Sequence, residues 1–143
     1  MKPVEWTVDG DAVRGGLFTP AGKSTKRYPL VLLIHGLSSS RVEFYDFPEK
    51  IAKAGFAVLS FSYRGHGDSD GERGILSKQR VLEDCEGALA AMKDESGVDL
   101  ANVALAGHST GGTLAICTAP HLPNVRCVVA MAPISSLKDA LLA

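Results

Sequence analysis

The sequence has little of what marks several classes of protein. Its 15 lysines and arginines against 16 aspartates and glutamates give a net charge of -1, which provides no basic surface for nucleic acid. No apolar run approaches the roughly 20 residues that span a membrane, and no apolar segment of a secretory signal follows Lys2. We therefore expect a cytoplasmic protein that has neither nucleic acid nor a membrane as a partner.

Cysteine is scarce as well. Cys85, Cys117 and Cys127 are three in number and far apart, and each lies in an apolar segment. This pattern argues against a disulfide framework or a zinc site and predicts buried, reduced thiols. The four histidines are scattered, with no spacing that presents two metal ligands on one helix face. We expect no metal and no cofactor.

Apolar residues are plentiful, at 45% of the 143 positions, which is enough for the core of one domain over residues 1–143. Four apolar runs are continuous rather than alternating, as in strands that are buried on both faces of a parallel sheet. They cover residues 30–35, 57–61, 103–106 and 127–131. The segments between them are long enough for crossover helices.

Three helices are predicted between these runs. Asp46 and Glu49 suggest a capping box for a helix over residues 47–54, and a helix over residues 110–119 is stopped by Pro120. The longest helix starts near residue 77 and ends before residue 97. Its buried face is expected to consist of six residues at helical spacing, which are Val81, Leu82, Cys85, Ala88, Leu89 and Met92.

The beginning of the chain differs in kind. Residues 4–8 and 12–18 flank a turn signal at residues 9–11, which predicts an antiparallel hairpin at the sheet edge, and residues 19–29 form a polar loop. The whole order predicts a three-layer α/β fold with a mostly parallel sheet of about six strands. A dinucleotide-binding module is excluded, because residues 35–40 lack the second and third glycines of its fingerprint.

Residues 107–111, Gly107-His108-Ser109-Thr110-Gly111, match the pattern Gly-x-Ser-x-Gly and are called the elbow here. A direct turn from strand to helix strains the serine backbone and leaves no room for side chains two positions away on either side. The apolar run before the elbow and the helix after it supply this context. The helix N-terminus favours developing negative charge, so the N–H groups of Thr110 and Leu37 are the expected oxyanion donors.

Three ordered motifs make the chain similar to the α/β-hydrolase serine esterases. They are His35-Gly36-Leu37, residues 63–69 (YRGHGDS) and residues 107–112 (GHSTGG), and Ala132-Pro133 also fits. The spacing most resembles the cinnamoyl (feruloyl) esterase branch. The resemblance implies that Ser109 attacks a small-molecule carboxylic ester and forms an acyl-enzyme that water hydrolyses. Thioesterase and amidase activities use the same parts and remain open.

The resemblance also implies what the chain lacks. The family's domain has eight strands, with the catalytic acid after the seventh and the histidine after the eighth, so this chain resembles an N-terminal part without the last two strands. His35 and His66 are the candidate general bases, because both lie on loops at the same sheet edge as Ser109. The resemblance, however, implies that His35 shapes its loop and that His66 is a turn residue. His108 is expected to pack at the sheet edge, and His121 lies roughly 17 Å from the elbow.

Other notable side chains are expected to have structural roles. Trp6 is predicted to pack on the hairpin, and Arg64 to anchor its own loop through hydrogen bonds. Asp68, Asp70 and Asp84 are expected on solvated surfaces.

Without a seventh and eighth strand, the run at residues 127–131 becomes an apolar sheet edge. We expect a homo-oligomer through this edge, most simply a two-fold dimer, with residues 135–143 helping to cover it. The alternative to a serine esterase is a non-catalytic hydrolase fragment in which the Gly-x-Ser-x-Gly pattern serves only the turn.

Overall fold

The computed structural model describes residues 1–22 and 25–135 and confirms the predicted α/β fold. Its strands are β1 (Lys2–Val8), β2 (Asp11–Phe18), β3 (Tyr28–Ile34), β4 (Ala57–Ser62), β5 (Val98–His108) and β6 (Val125–Met131). Its α-helices are α1 (Phe47–Lys53), α2 (Lys78–Ala91) and α3 (Thr110–Thr118), and two 3-10 helices cover Arg41–Phe44 and Ala119–His121. The strands form one sheet in the order β1-β2-β4-β3-β5-β6.

The sheet is parallel from β4 to β6 and antiparallel at its N-terminal end. β3 pairs in parallel with β4 and β5, and β5 with β6, whereas the β1–β2 hairpin adds antiparallel to β4. The hairpin turn has positive φ at both Asp9 (51°) and Gly10 (89°), which matches the twist of the two strands. The predicted edge hairpin is confirmed.

Helices cover both faces of the sheet, which explains the continuous apolar runs. On β3, Leu30, Leu32 and Ile34 face the core shared with α2 and α3, while Val31 and Leu33 face the smaller core on the α1 side. Every residue of β4 is buried. The six residues predicted on the inner face of α2 are all buried as well.

Helix ends follow the prediction only in part. The Ser77 side chain caps α2 by accepting a hydrogen bond from the Arg80 N–H at 3.2 Å. At its other end, α2 stops at Ala91, whereas the sequence predicted that it continues until just before Gly97. The expected capping box at α1 is wrong. Asp46 has helical backbone angles (φ -88°, ψ 0°) and its side chain makes an ion pair with Lys50 instead of capping the helix.

β6 is the outermost strand on its side of the described sheet, and it is exposed despite its apolar sequence. Val128 and Val129 are 36% and 48% exposed, and Ile116 on the neighbouring α3 is 50% exposed. The prediction of three buried thiols is therefore wrong for two of them: Cys85 is buried, but Cys117 is half-buried and Cys127 is exposed, and all three are free thiols. The cause is the absence of a described neighbour beyond β6.

No helix within the described ranges is long and apolar enough to cross a membrane. The proposed covering segment at residues 135–143 lies, beyond residue 135, outside the described residues.

Candidate active site

Ser109 lies at the sharp turn between β5 and α3. Its backbone has φ 53° and ψ -123°, and a positive φ of this kind is strained for a residue with a side chain. Its N–H donates to the Met131 carbonyl at 2.9 Å, and its carbonyl accepts hydrogen bonds from Gly112 and Thr113. Main-chain bonds on both sides thus hold the strained turn in place.

The two glycines of the elbow leave no space for a side chain. A Cβ on Gly107 would overlap the backbone of Gly111, and a Cβ on Gly111 would overlap the carbonyl oxygens of Ile34 and His35. The second contact joins two elements, because it presses the start of α3 against the end of β3. The steric reason predicted for these glycines therefore holds.

The two predicted oxyanion donors follow two neighbouring parallel strands, β3 and β5. Leu37 follows β3 in residues 35–38, called the oxyanion loop here, and Thr110 is the first residue of α3. Neither N–H has a hydrogen-bond acceptor among the described residues. The Thr110 amide lies at a helix start, where N–H groups are available to an anion, and the Leu37 amide is available because nothing in the described chain accepts from it. Their role as an oxyanion hole stays a prediction.

The Glu43 side chain contacts both the oxyanion loop and the elbow, a role that was not predicted from the sequence. It lies in the 3-10 helix Arg41–Phe44, where its Oε2 accepts a hydrogen bond from the Gly36 N–H at 2.6 Å and its Oε1 lies 2.5 Å from His108 Nδ1. Burial raises the pKa of Glu43, but the bonds from Gly36, His108 and Ser39 outweigh it and hold the pKa below its usual value. The only sequence signal was an acid placed shortly after β3.

His108 does not pack at the sheet edge as expected. Its side chain is 48% exposed and bonds to Glu43 beside an apolar depression of about 340 Å³. Phe44, Phe47 and Met131 line the rest of this depression. The expectation was wrong because Glu43, a residue distant in sequence, holds the His108 ring outside the core.

The two candidate bases lie together around Tyr63. The His35 and Tyr63 rings are stacked with centroids 3.9 Å apart, and the His66 ring lies 4.4 Å from Tyr63. Burial lowers the pKa of His35 to about 4, and burial also lowers the pKa of His66. Within residues 1–22 and 25–135, no side-chain hydrogen bond joins either ring to Ser109. This geometry argues against both as the general base and favours a role in shaping the loops.

Arg64 anchors the loop after β4, as predicted. Its guanidinium, 3% exposed, makes ion pairs with Asp84 at 2.5 Å, Glu83 at 2.6 Å and Asp9 at 2.8 Å. Asp84 was expected on a solvated surface, but it is fully buried. Burial raises the pKa of Asp84, and its bonds to Arg64 only partly offset this. A buried charge needs such a partner, and the partner comes from a distant part of the chain.

Asp68 and Asp70 do lie in a solvated loop. Their side chains are 44% and 52% exposed and make ion pairs with Arg41 and Arg14. Trp6 packs against Phe61 in an edge-to-face contact at 5.4 Å, as expected for a residue of the hairpin.

Comparison with known proteins gives a consistent picture. A family model described as serine aminopeptidase, S33, matches residues 25–142. The α/β hydrolase GrgF from Penicillium sp. sh18 has 28% identity and a TM-score of 0.81, and the esterase PF2001 from Pyrococcus furiosus has 26% identity and a TM-score of 0.75. Est1E from Butyrivibrio proteoclasticus, solved with ferulic acid bound, has 24% identity and a TM-score of 0.78, a likeness of fold.

These similarities cover most of this chain but only part of the other proteins. The matches include 92%, 92% and 91% of this chain and 45%, 48% and 52% of GrgF, PF2001 and Est1E, respectively. The chain therefore spans about half the length of each of these proteins.

Proposed function

Because this chain belongs to the serine aminopeptidase S33 family of α/β hydrolases, we propose that it carries out acyl transfer with Ser109 as the nucleophile. The observation that carries this proposal is the elbow: Ser109 has a strained φ of 53° between β5 and α3. The N–H groups of Leu37 and Thr110, which have no acceptor in the described part of the chain, support the same role. Strain at a turn of this kind is typical of a nucleophile that must stand clear of the sheet.

In the proposed reaction the Ser109 hydroxyl oxygen attacks the carbonyl carbon of an ester while a base takes its proton. The carbonyl oxygen becomes an anion and accepts hydrogen bonds from the N–H groups of Leu37 and Thr110. The C–O bond to the alcohol then breaks, the alcohol leaves with the proton, and an acyl-enzyme remains. Water repeats the attack, releases the acid and restores the hydroxyl.

We propose carboxylic esters as the substrate class. The similar Pyrococcus furiosus protein is described as an esterase at 26% identity, which supports this class. Thioesters and amides react through the same acyl-enzyme, so the serine chemistry by itself does not favour one of the three.

The proposed reaction needs a base, since a serine hydroxyl without a base is a weak nucleophile. The burial of His35 and His66 and their lowered pKa values count against both. We therefore propose that a histidine of a partner chain acts as the base. His35 and His66 are proposed to shape the loops near Ser109.

The partner we propose is a second copy of this chain bound at the β6 edge. Apolar side chains are exposed there, namely Val128, Val129 and Ile116, and β6 has no described neighbour on its outer side. A two-fold axis perpendicular to β6 would pair the two β6 strands in antiparallel. Size-exclusion chromatography with light scattering tests this: a dimer is expected, and a strict monomer at all concentrations would contradict it.

The experiment for the proposed function is covalent labelling with a fluorophosphonate probe, together with hydrolysis of a p-nitrophenyl ester. We expect labelling and turnover in the wild-type chain and neither in Ser109→Ala. Ser96→Ala is the matched control, because Ser96 is an exposed serine in the turn before β5, and it should react like the wild type. An unlabelled and inactive wild-type chain would support the non-catalytic alternative.

A further inference from the structure

The peptide group that carries the Leu37 N–H is held by two side chains, Tyr63 and His35, that the proposed reaction does not use. This group consists of the Gly36 carbonyl and the Leu37 N–H, which lie in one plane and point in opposite directions. The Gly36 carbonyl accepts a hydrogen bond from the Tyr63 hydroxyl at 3.1 Å, and His35 Nδ1 lies 2.8 Å from it. Fixing the carbonyl therefore fixes the direction of the Leu37 N–H.

The N–H of Gly36 is fixed from the other side by Glu43. The Glu43 Oε2 accepts this N–H at 2.6 Å, while the Oε1 lies 2.5 Å from His108 Nδ1, next to Ser109. One carboxylate thus ties the oxyanion loop to the elbow. A Cβ on Gly36 would lie 3.3 Å from Glu43 Oε1 and 3.5 Å from the His108 carbonyl oxygen, so the three segments meet closely at this glycine.

The surroundings keep the Tyr63 hydroxyl and the His35 imidazole in the protonation states that these hydrogen bonds require. Burial, with the charge of Glu43, raises the pKa of Tyr63, so its hydroxyl remains a donor. His35 is fully buried and its Nε2 has no partner in the described chain, whereas its Nδ1 faces the Gly36 carbonyl. A neutral imidazole with the proton on Nδ1 satisfies this contact.

We propose that Glu43 and Tyr63 are positioning residues that aim the Leu37 N–H at the anion formed on the substrate. This inference rests on the proposed function, because it assigns to Leu37 one of the two donors. It extends that function to residues that touch neither the substrate nor the Ser109 hydroxyl. A donor that is turned away from the anion stabilises the transition state less, while the substrate in its ground state binds as before.

The test measures how a fluorophosphonate labels Ser109 and separates the maximal labelling rate from the apparent dissociation constant of the probe. Because the donor is misaimed rather than removed, the maximal rate should fall about tenfold in Glu43→Gln and about threefold in Tyr63→Phe. The apparent dissociation constant should stay within about twofold of wild type. A purely structural role would not produce this split.

Two matched controls come from the same segment of the chain. Glu49 and Tyr45 are exposed, Tyr45 to 90%, so Glu49→Gln and Tyr45→Phe should label at the wild-type rate. Thermal melting establishes that each variant is folded. If Glu43→Gln does not fold, Tyr63→Phe, which removes a single hydroxyl, carries the test.

The outcomes separate this inference from the function on which it rests. Labelling of Ser109 at an unchanged maximal rate in both Glu43→Gln and Tyr63→Phe would overturn the positioning roles and leave the proposed function standing. A wild-type chain in which Ser109 is not labelled would overturn the proposed function, and the positioning roles would fall with it.

Discussion

The two sides of the elbow are built differently. Toward β3, the start of α3 rests on backbone carbonyls of Ile34 and His35, and Glu43 bridges the oxyanion loop and the elbow. Toward β6, Val128 and Val129 are 36% and 48% exposed, whereas Val58 on β4 is fully buried. The β3 side is thus closely packed around the site, whereas beyond β6 the sheet is open in the described part of the chain.

This difference separates two requirements of the proposed chemistry. Amides that receive an anion must be held in place before the reaction, and close packing with buried hydrogen bonds does this. The components that activate the serine are not assembled in the described residues, and the open β6 side is where we propose that a partner adds them. The contrast can be tested by matched substitutions on the two sides.

The largest effect is expected from a matched pair of glycines in α3. Gly111→Ala would push a methyl group into the carbonyls of Ile34 and His35, and we expect it to destabilise the protein by roughly 3 kcal/mol or more. A Cβ on Gly112 lies 3.0 Å from the Gly107 carbonyl oxygen of the elbow and no closer than 3.4 Å to atoms on the β6 side. Because Gly112→Ala also gains helix propensity, its cost should stay within about 1 kcal/mol. Urea denaturation measures both, and equal costs would contradict the packing difference.

A second effect concerns the pH dependence of stability. His35 has a pKa of about 4 in the folded chain against 6.5 ordinarily, so the folded state binds fewer protons in this range. Its contribution to stability is complete above pH 6.5 and is lost as the pH falls toward 4, by up to roughly 3 kcal/mol. His35→Asn should flatten this part of the stability curve. A wild-type curve without this slope would contradict the account.

The smallest effect is expected from a matched pair of valines. Val58 on β4 is fully buried, so Val58→Ala should cost about 2 kcal/mol through lost burial and a cavity. Val128 on β6 is 36% exposed, and Val128→Ala should change stability by no more than about 0.5 kcal/mol in the monomer. Thermal melting at low protein concentration measures both. A comparable loss for Val128→Ala would mean that β6 is covered after all.

The strands, the hairpin and the elbow were predictable because their signals are local. Continuous apolar runs, an Asp-Gly turn and two glycines around a serine each depend on the geometry of a few neighbouring residues. Glu43, His108 and Asp84 were missed or misplaced because their roles arise from partners 65, 65 and 20 residues away along the chain. Cys127 was misplaced because burial depends on the elements that lie beside a strand, and its own sequence does not report these.

The most direct measurement for the central claim is a crystal structure of the chain after reaction with a fluorophosphonate. The account predicts a phosphorus bonded to the Ser109 Oγ, with one phosphonyl oxygen within about 3 Å of the N–H groups of both Leu37 and Thr110. An adduct on another residue, or a phosphonyl oxygen that faces away from these two amides, would contradict it.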